Sequence, residues 1–330
     1  MAARRLLALA LFACATAAGC TGWQSALDPH GPGARALDAL FWPVTVALAL
    51  IWLAVMLVLV AALMRRQRPA PQHAARRSGI AVWAATLGTV LVITALTAAS
   101  HLTTRSISHA GAEPLVIQVR GHQWWWQVTY PGTDGTGAVA TANEIHLPVG
   151  RQVRIELSAA DVIHSFWVPN LGGKQDMIPG RDNHLTVVAE APGIYRGQCA
   201  EFCGLQHAHM ALLVIAEAPA EFEAWLAAQR QDAAPPADPV LSEGQRVFEQ
   251  QPCGACHRVR GTAAAGEIGP DLTHFASRRM IAAGVLPMTR GAIAAWIADP
   301  QTIKPGSSMP LVPLTPDELQ AVSAWLASLR

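Results

Sequence analysis

Between residues 199 and 210 the chain reads Cys199-Ala-Glu-Phe-Cys203-Gly-Leu-Gln-His207-Ala-His-Met210. Two thiols, an imidazole and a thioether fall within one short stretch, and another histidine stands upstream in His164-Ser-Phe-Trp167. Thiolate and thioether sulfur are soft ligands, and imidazole suits copper well. Two cysteines four residues apart can bridge a pair of metal ions. A histidine at each end and a weak sulfur ligand would complete two copper centres that share their thiolates. Such a site moves single electrons rather than hydrolysing bonds. Structural zinc held by Cys and His is the alternative, although zinc has no use for Met210. The near i, i+4, i+8 spacing would also suit one face of a helix. Pro192, Gly197 and Gly204 argue against that helix, and Gly193-Ile-Tyr-Arg-Gly197 reads as a strand.

A second cluster lies in Cys253-Gly-Ala-Cys256-His257, the c-type haem attachment pattern. Its thiols would add to the haem vinyl groups, and His257 would bind the iron from one side. A bare Cys-x-x-Cys could be a redox or zinc pair; the adjoining histidine and an exported location favour haem. Downstream, Lys304-Pro-Gly-Ser-Ser-Met309-Pro310 resembles the distal-ligand loop of class I cytochromes c, which makes Met309 the implied sixth ligand. Met/His ligation raises the potential and fills both axial positions, favouring electron transfer over oxygen binding. Met280 and Met288 compete for that role but fall outside the loop pattern and read as packing residues.

The segment 199–210 is similar to the binuclear copper (CuA) loop of cytochrome c oxidase subunit II. Gly121-His-Gln-Trp-Trp-Trp126, Asp161-Val-Ile-His-Ser-Phe-Trp-Val-Pro169 and Asp176-Met-Ile-Pro-Gly-Arg181 carry the same resemblance, which runs from about residue 30 to about residue 230. It implies that Cys199 and Cys203 bridge two coppers and that His164 and His207 cap one each. Met210 is then the weak ligand of one copper, and the backbone carbonyl of Glu201 that of the other. The Glu201 carboxylate would reach a magnesium or manganese ion shared with subunit I. Trp124 matches the family's exposed tryptophan at which electrons arrive, and Trp126 reads as a core ring. Asp161 either orients His164 or caps its loop. His122, His146, His184 and His209 read as surface or core residues. The implied function is subunit II of a haem–copper oxidase with a fused cytochrome c. It would take electrons from cytochrome c or another periplasmic donor, through haem c and CuA, to haem in subunit I, where oxygen is reduced to water; subunit III is a further expected partner. The electron-input subunit of a nitric oxide reductase, or a copper-delivery protein, remain as alternatives.

These groups need elements to position them. The chain is 330 residues long, 52% hydrophobic, only 14% charged, with a net charge of +1. That balance points to membrane spans and argues against a nucleic-acid role. Residues 1–20 have the basic start and apolar core of a secretory signal, ending in Ala17-Ala-Gly-Cys20, which resembles a lipoprotein cleavage site with Cys20 lipidated; ordinary cleavage is the alternative. A periplasmic segment, 21–39, precedes apolar runs at 40–64 and 78–101. Each exceeds the roughly 20 residues needed to cross a bilayer. The 65–77 loop between them holds Arg65, Arg66, Arg68, Arg76 and Arg77 and no acid, so it is cytoplasmic by the positive-inside rule and the rest is periplasmic. The position of the family's acid near the cytoplasmic start of the second helix holds Ile80, a departure that bears on the family's usual proton entry through this subunit and not on electron transfer. Short alternating strands within 113–218, including Leu115–Val119 and Val153–Leu157, separated by Pro-Gly and Val-Gly turns, predict a sandwich or barrel. The resemblance makes it a cupredoxin-like fold. A short helix and Pro-rich, semi-stiff linker follow at 219–239, then an all-α cytochrome c domain at 240–330, closed by a helix that opens on the capping box Thr315-Pro-Asp-Glu318. The expected fold is thus an N-terminal two-helix transmembrane hairpin, an all-β cupredoxin-like domain and an all-α cytochrome c domain, in a bacterial inner membrane.

Overall fold

The computed structural model describes residues 20–64, 74–107, 113–132 and 137–330. The signal region before Cys20 and the arginines at 65, 66 and 68 lie outside the described residues. Two long helices, α1 (Pro32–Met64) and α2 (Ala74–Ile107), make up most of one unit of the chain, residues 35–109. Their apolar stretches, Pro32–Met64 and Ser78–Ile107, are long enough to cross a membrane and bury none of their most apolar windows in protein. At 1.5 Å per residue, α1 extends about 50 Å, which exceeds the roughly 30 Å of hydrocarbon. It starts at Pro32 rather than near residue 40, because proline is well suited to a first helical position.

The second unit holds the copper and haem regions together. Ten strands build two five-stranded sheets. They are β1 (Leu115–His122), β2 (Trp125–Tyr130), β3 (Val139–Ala142), β4 (Glu144–Pro148), β5 (Val153–Ala159), β6 (His164–Trp167), β7 (Gln175–Met177), β8 (Asn183–Val187), β9 (Gly193–Cys199) and β10 (Ala211–Glu217). The sheets run in the orders β3-β2-β1-β5-β8 and β4-β10-β9-β6-β7. β1 and β5 pair in parallel, with Ile117 opposite Ile155 and Val119 opposite Leu157. Those alternate residues are buried, whereas Gln118 and Arg120 are exposed, the period-two pattern of a sheet with one wet face. Trp126, Phe166, Ile145, Leu147 and Ile155 fill the space between the sheets. β2, β3 and β7 are strands that the sequence pattern did not mark.

Helix α3 (Pro219–Gln229) closes one end of the sandwich. Its Trp225 stacks on His146 of β4 at 4.0 Å between ring centroids. His146 is buried and bonded on both ring nitrogens, to Glu217 Oε1 at 2.9 Å and to Glu144 Oε1 at 3.2 Å. Burial lowers its pKa, but the two carboxylates outweigh that and raise it.

The haem region is helical. α4 (Pro239–Gln250) starts at Asp238, whose carboxylate accepts from the Val240 and Leu241 amides. α8 (Pro316–Leu326) starts at Thr315 in a full capping box with Glu318. The two helices cross at Gly244, where a Cβ would lie 2.2 Å from the Ala321 carbonyl oxygen. Phe248 and Trp325 then meet at 5.1 Å. Between these helices run α5 (Cys253–Cys256), α6 (Arg290–Ala298) and α7 (Pro300–Ile303). The expected linker is pinned at its start: Arg260 donates to the carbonyls of Gln229 and Gln231, and the Ala233 amide donates to the Arg260 carbonyl.

The raised pKa of His146 sets a pH dependence. Stabilisation from the Glu144–His146–Glu217 bridge is fully present below the unfolded imidazole value and is lost as pH rises through the higher folded value. The stability gap between the wild-type protein and His146→Gln should therefore be largest near pH 6, on the order of 1–3 kcal/mol, and narrow in alkaline buffer. Calorimetric unfolding across pH measures it; a gap that widens with pH would contradict the assignment.

Candidate metal and haem site

β9 delivers Cys199 at its C-terminal end, and the chain then turns through residues 200–206 and a single 3-10 turn, His207–His209, before β10 begins at Ala211. The segment is a loop between two hydrogen-bonded strands, not a helix. Gly204 has φ +111, which suits glycine, and a Cβ there would meet Gln123 and Trp124 at 3.1 Å. From β6, His164 reaches into the same place and is fully buried. It fits because Gly121 of β1 has no side chain: a Cβ would stand 2.8 Å from His164 Cδ2.

The donor atoms converge. Cys199 Sγ lies 3.7 Å from Cys203 Sγ, 3.9 Å from His164 Nδ1 and 3.2 Å from the Glu201 carbonyl oxygen. Cys203 Sγ lies 3.6 Å from His207 Nδ1 and 3.9 Å from Met210 Sδ. His164, Cys199 and Cys203 form a buried group whose ligand atoms all lie within 4.8 Å of one another. Separations of about 3.7 Å are those of neighbouring ligands around one metal at bond lengths of about 2.3 Å. Two thiolates, two imidazoles, a thioether and a carbonyl are six donors, more than the four a structural zinc takes, and the soft ones suit copper. Met210 is only 1% exposed, and its sulfur faces Cys203 Sγ.

Protonation suits metal uptake. The Cys203 thiol bonds to Cys199, and His164 adds to the effect, pushing Cys199 down to about 3. The same bond raises Cys203. A metal ion taken up by the pair would displace the proton that Cys203 holds. Burial lowers the pKa of His164, while Cys199 and Asp161 more than offset it and raise the net value. Asp161 accepts at 2.8 Å from His164 Nε2, leaving Nδ1 facing the sulfurs. It also accepts from the Val162 amide at 2.7 Å and the Gln123 amide at 2.6 Å, so it orients the histidine and caps the loop at once.

Cys253, Cys256, His257 and Met309 line a second, mostly apolar cavity. Phe248, Leu272, Phe275, Ile293, Ile297 and Leu326 form its walls. His257 Nδ1 bonds to the Pro270 carbonyl at 2.8 Å, which fixes the ring and leaves Nε2 free. Burial lowers its pKa, keeping the ligating neutral form. Gly269 makes room for it, since a Cβ there would lie 2.6 Å from His257 Cε1. Two thiols, a neutral imidazole and a thioether around an apolar slot fit a covalently attached haem. Met280 also lines this cavity, whereas Met288 packs against the core beside it.

Trp124 corrects one expectation. The ring expected to be exposed is 8% exposed and lines the haem cavity together with Gln123 and Trp125. The haem region covers it: a Cβ at Gly306 would lie 3.5 Å from Trp124 Cη2. Its indole Nε1 donates to the Cys203 carbonyl at 2.9 Å, beside Gln123 Nε2 at 2.8 Å. Sequence reasoning also missed Lys304. It was read only as the first residue of the Met309 loop, yet it is 3% exposed and donates to the carbonyls of Trp124, His209 and Ala282. Burial pushes its pKa down to about 7. His122, His146, His184 and His209 stand outside the donor set.

A family model described as the periplasmic domain of cytochrome c oxidase subunit II matches residues 133–217, and one described as cytochrome c matches residues 241–330. The chain is 34% identical to cytochrome c oxidase subunit 2 of Alkalihalophilus pseudofirmus, over 94% of this chain and 93% of the relative. This chain belongs to the cytochrome c oxidase subunit II family. Subunit 2 of Bacillus sp. strain PS3 is 33% identical over 66% of this chain and 62% of the relative. Among solved structures, the periplasmic domain of subunit II of cytochrome oxidase from Bradyrhizobium japonicum is 31% identical, covering 37% of this chain and 97% of that chain with a TM-score of 0.35. Membership makes this subunit II a component of an oxidoreductase, anchored in a membrane, with a periplasmic domain. It implies copper in the sandwich domain and haem in the helical one.

Replacing one shared sulfur separates the two centres. Cys203→Ser should lose the paired copper and retain the covalent haem, read by metal analysis and a haem assay on the same sample. Full copper content in the variant would remove Cys203 from the donor set.

Proposed function

We propose that this subunit II is the electron-input arm of a haem–copper oxidase in a bacterial inner membrane. It receives single electrons from cytochrome c or another periplasmic donor at its haem region. It delivers them through the copper loop to haem in subunit I, where oxygen is reduced to water, in a complex that includes subunit III. Cys199 and Cys203 would supply the thiolates for copper, His164 and His207 the imidazoles, and Met210 and the Glu201 carbonyl the weak donors. Cys253 and Cys256 would tether the haem, with His257 and Met309 available to its iron. The bound groups supply reversible one-electron storage. The chain's own residues hold the ligands in nearly one geometry for both oxidation states and keep water from the sulfurs.

One observation supports this reading most: Trp124 lines the haem cavity and donates to the carbonyl of Cys203. The tryptophan is then an internal step between the two centres, reached from the haem side rather than from solvent. The half-exposed carboxylate of Glu201, 3.9 Å from Lys174 Nζ, contributes to a magnesium or manganese site shared with subunit I.

The test is the intact complex. Given a reduced periplasmic donor it should consume oxygen, with haem reduction preceding copper reduction. Turnover with nitric oxide but not oxygen, or copper that a chelator strips while haem and copper exchange no electrons, would overturn the proposal. Within the same complex Met309→Ala should lower the haem potential, because Met/His ligation raises it; an unchanged potential would remove Met309 from the ligands.

A further inference from the structure

The haem region could be joined to the copper region by its linker alone, free to swing. The contacts between them describe something more fixed. The Arg279 amide donates to Glu144 Oε2 at 3.0 Å, and Arg278 Nε donates to Thr141 Oγ1 at 3.2 Å. Gln206 Nε2 donates to the Pro305 carbonyl at 2.8 Å, and the Ala211 amide to the Ala283 carbonyl at 3.0 Å. At the middle of this interface stands Lys304. Its Nζ donates to the Trp124 carbonyl at 2.7 Å, the His209 carbonyl at 2.8 Å and the Ala282 carbonyl at 3.0 Å.

The three acceptors come from three different pieces of the molecule. Trp124 belongs to the aromatic turn whose indole bonds to Cys203. His209 lies between His207 and Met210 in the copper loop. Ala282 belongs to a haem-region turn in which Ala282 and Ala283 have φ +53 and +58, a left-handed conformation that alanine rarely adopts. Both strained residues are held by their carbonyls, one by Lys304 and the other by the Ala211 amide. An ammonium has three donors and no acceptor, so three carbonyls satisfy it completely. No carboxylate lies within ion-pair distance of it among the described residues. A buried cation with carbonyl partners alone is poorly explained as a source of affinity, since a well-packed apolar side chain would serve as well. Its distinct property is direction: apolar contact tolerates sliding, whereas three hydrogen bonds from one atom fix one register.

We infer that Lys304 is a positioning residue for electron transfer within this chain, locking the haem region, the Trp124 turn and the copper loop in one arrangement. This rests on the function proposed above. Electron tunnelling weakens steeply as the gap between donor and acceptor opens, so a small loss of register shows in the rate before it shows in either centre. Lys304 also lines the haem cavity, but its ammonium is bonded to the Trp124, His209 and Ala282 carbonyls rather than to any donor atom of the copper site, so it acts through the backbone that carries the two centres.

The experiment uses the intact, copper- and haem-loaded oxidase complex with Lys304→Met, which keeps most of the side-chain volume, and Lys304→Gln, which keeps one donor group. Haem is reduced by a light flash, and the rate of copper reduction is followed optically. Direct reduction of copper by a small soluble reductant, and both midpoint potentials, are measured beside it. The expected result is haem-to-copper transfer slowed by about tenfold or more in Lys304→Met and by less in Lys304→Gln. Metal content and direct copper reduction should stay as in the wild-type complex, and the rate should fall by more than any shift in the two midpoint potentials accounts for. Unchanged transfer in Lys304→Met overturns the inference. So does loss of copper or haem in both variants, which would make Lys304 a residue of folding rather than of positioning. Absence of haem-to-copper transfer in the wild-type complex would instead refute the proposed function itself.

Discussion

The carbonyl of Cys203 is the point on which the exported part of this molecule turns. It accepts from the Trp124 indole and from the Gln123 side chain, so a thiolate-bearing loop is fastened to the aromatic turn between β1 and β2. The backbone carbonyl of the same tryptophan accepts from Lys304 of the haem region. One residue thus faces both centres, with its ring to the copper loop and its carbonyl to the cytochrome. Those bonds act with the Cys199 amide on the Met210 carbonyl and the Ala200 amide on the Ser165 carbonyl to hold the sulfurs at ligand spacing.

The rest of the sandwich serves that constraint. Thiol and imidazole donors spread over β6, β9 and the loop before β10 cannot converge unless the sheet holding those strands is rigid, and its inner face is closely packed. Asp161 extends the order outward by fixing His164 and accepting from the Gln123 amide in the same motif. The haem cavity follows the same logic with different parts. Pro270 fixes the His257 ring, Gly269 leaves it space, and the α4–α8 crossing at Gly244 sets the wall behind. Each centre is a cluster of reactive side chains made specific by backbone carbonyls and absent side chains.

That division explains what could be read from the chain. Both donor clusters were legible because cysteine, histidine and methionine at short spacing have few other uses. β1 and β5 were legible from alternation, and α8 from its capping box. β2 was hidden because Trp124-Trp-Trp126 masks any alternation, and β3 and β7 are too short to show a period. The interface was hidden for a deeper reason. Lys304 bonds to three backbone carbonyls far away in sequence, and Arg279 contributes an amide, so no pairing of side-chain types marks either. The exposed setting expected for Trp124 came from its match to the family's exposed tryptophan; here the fused haem region occupies that face. The fusion is visible in the sequence, but its docking is not.

The account is tested most directly by the metal content of the fully loaded, full-length subunit. It predicts two coppers and one covalent haem iron per chain. A lone zinc in the loop would contradict it.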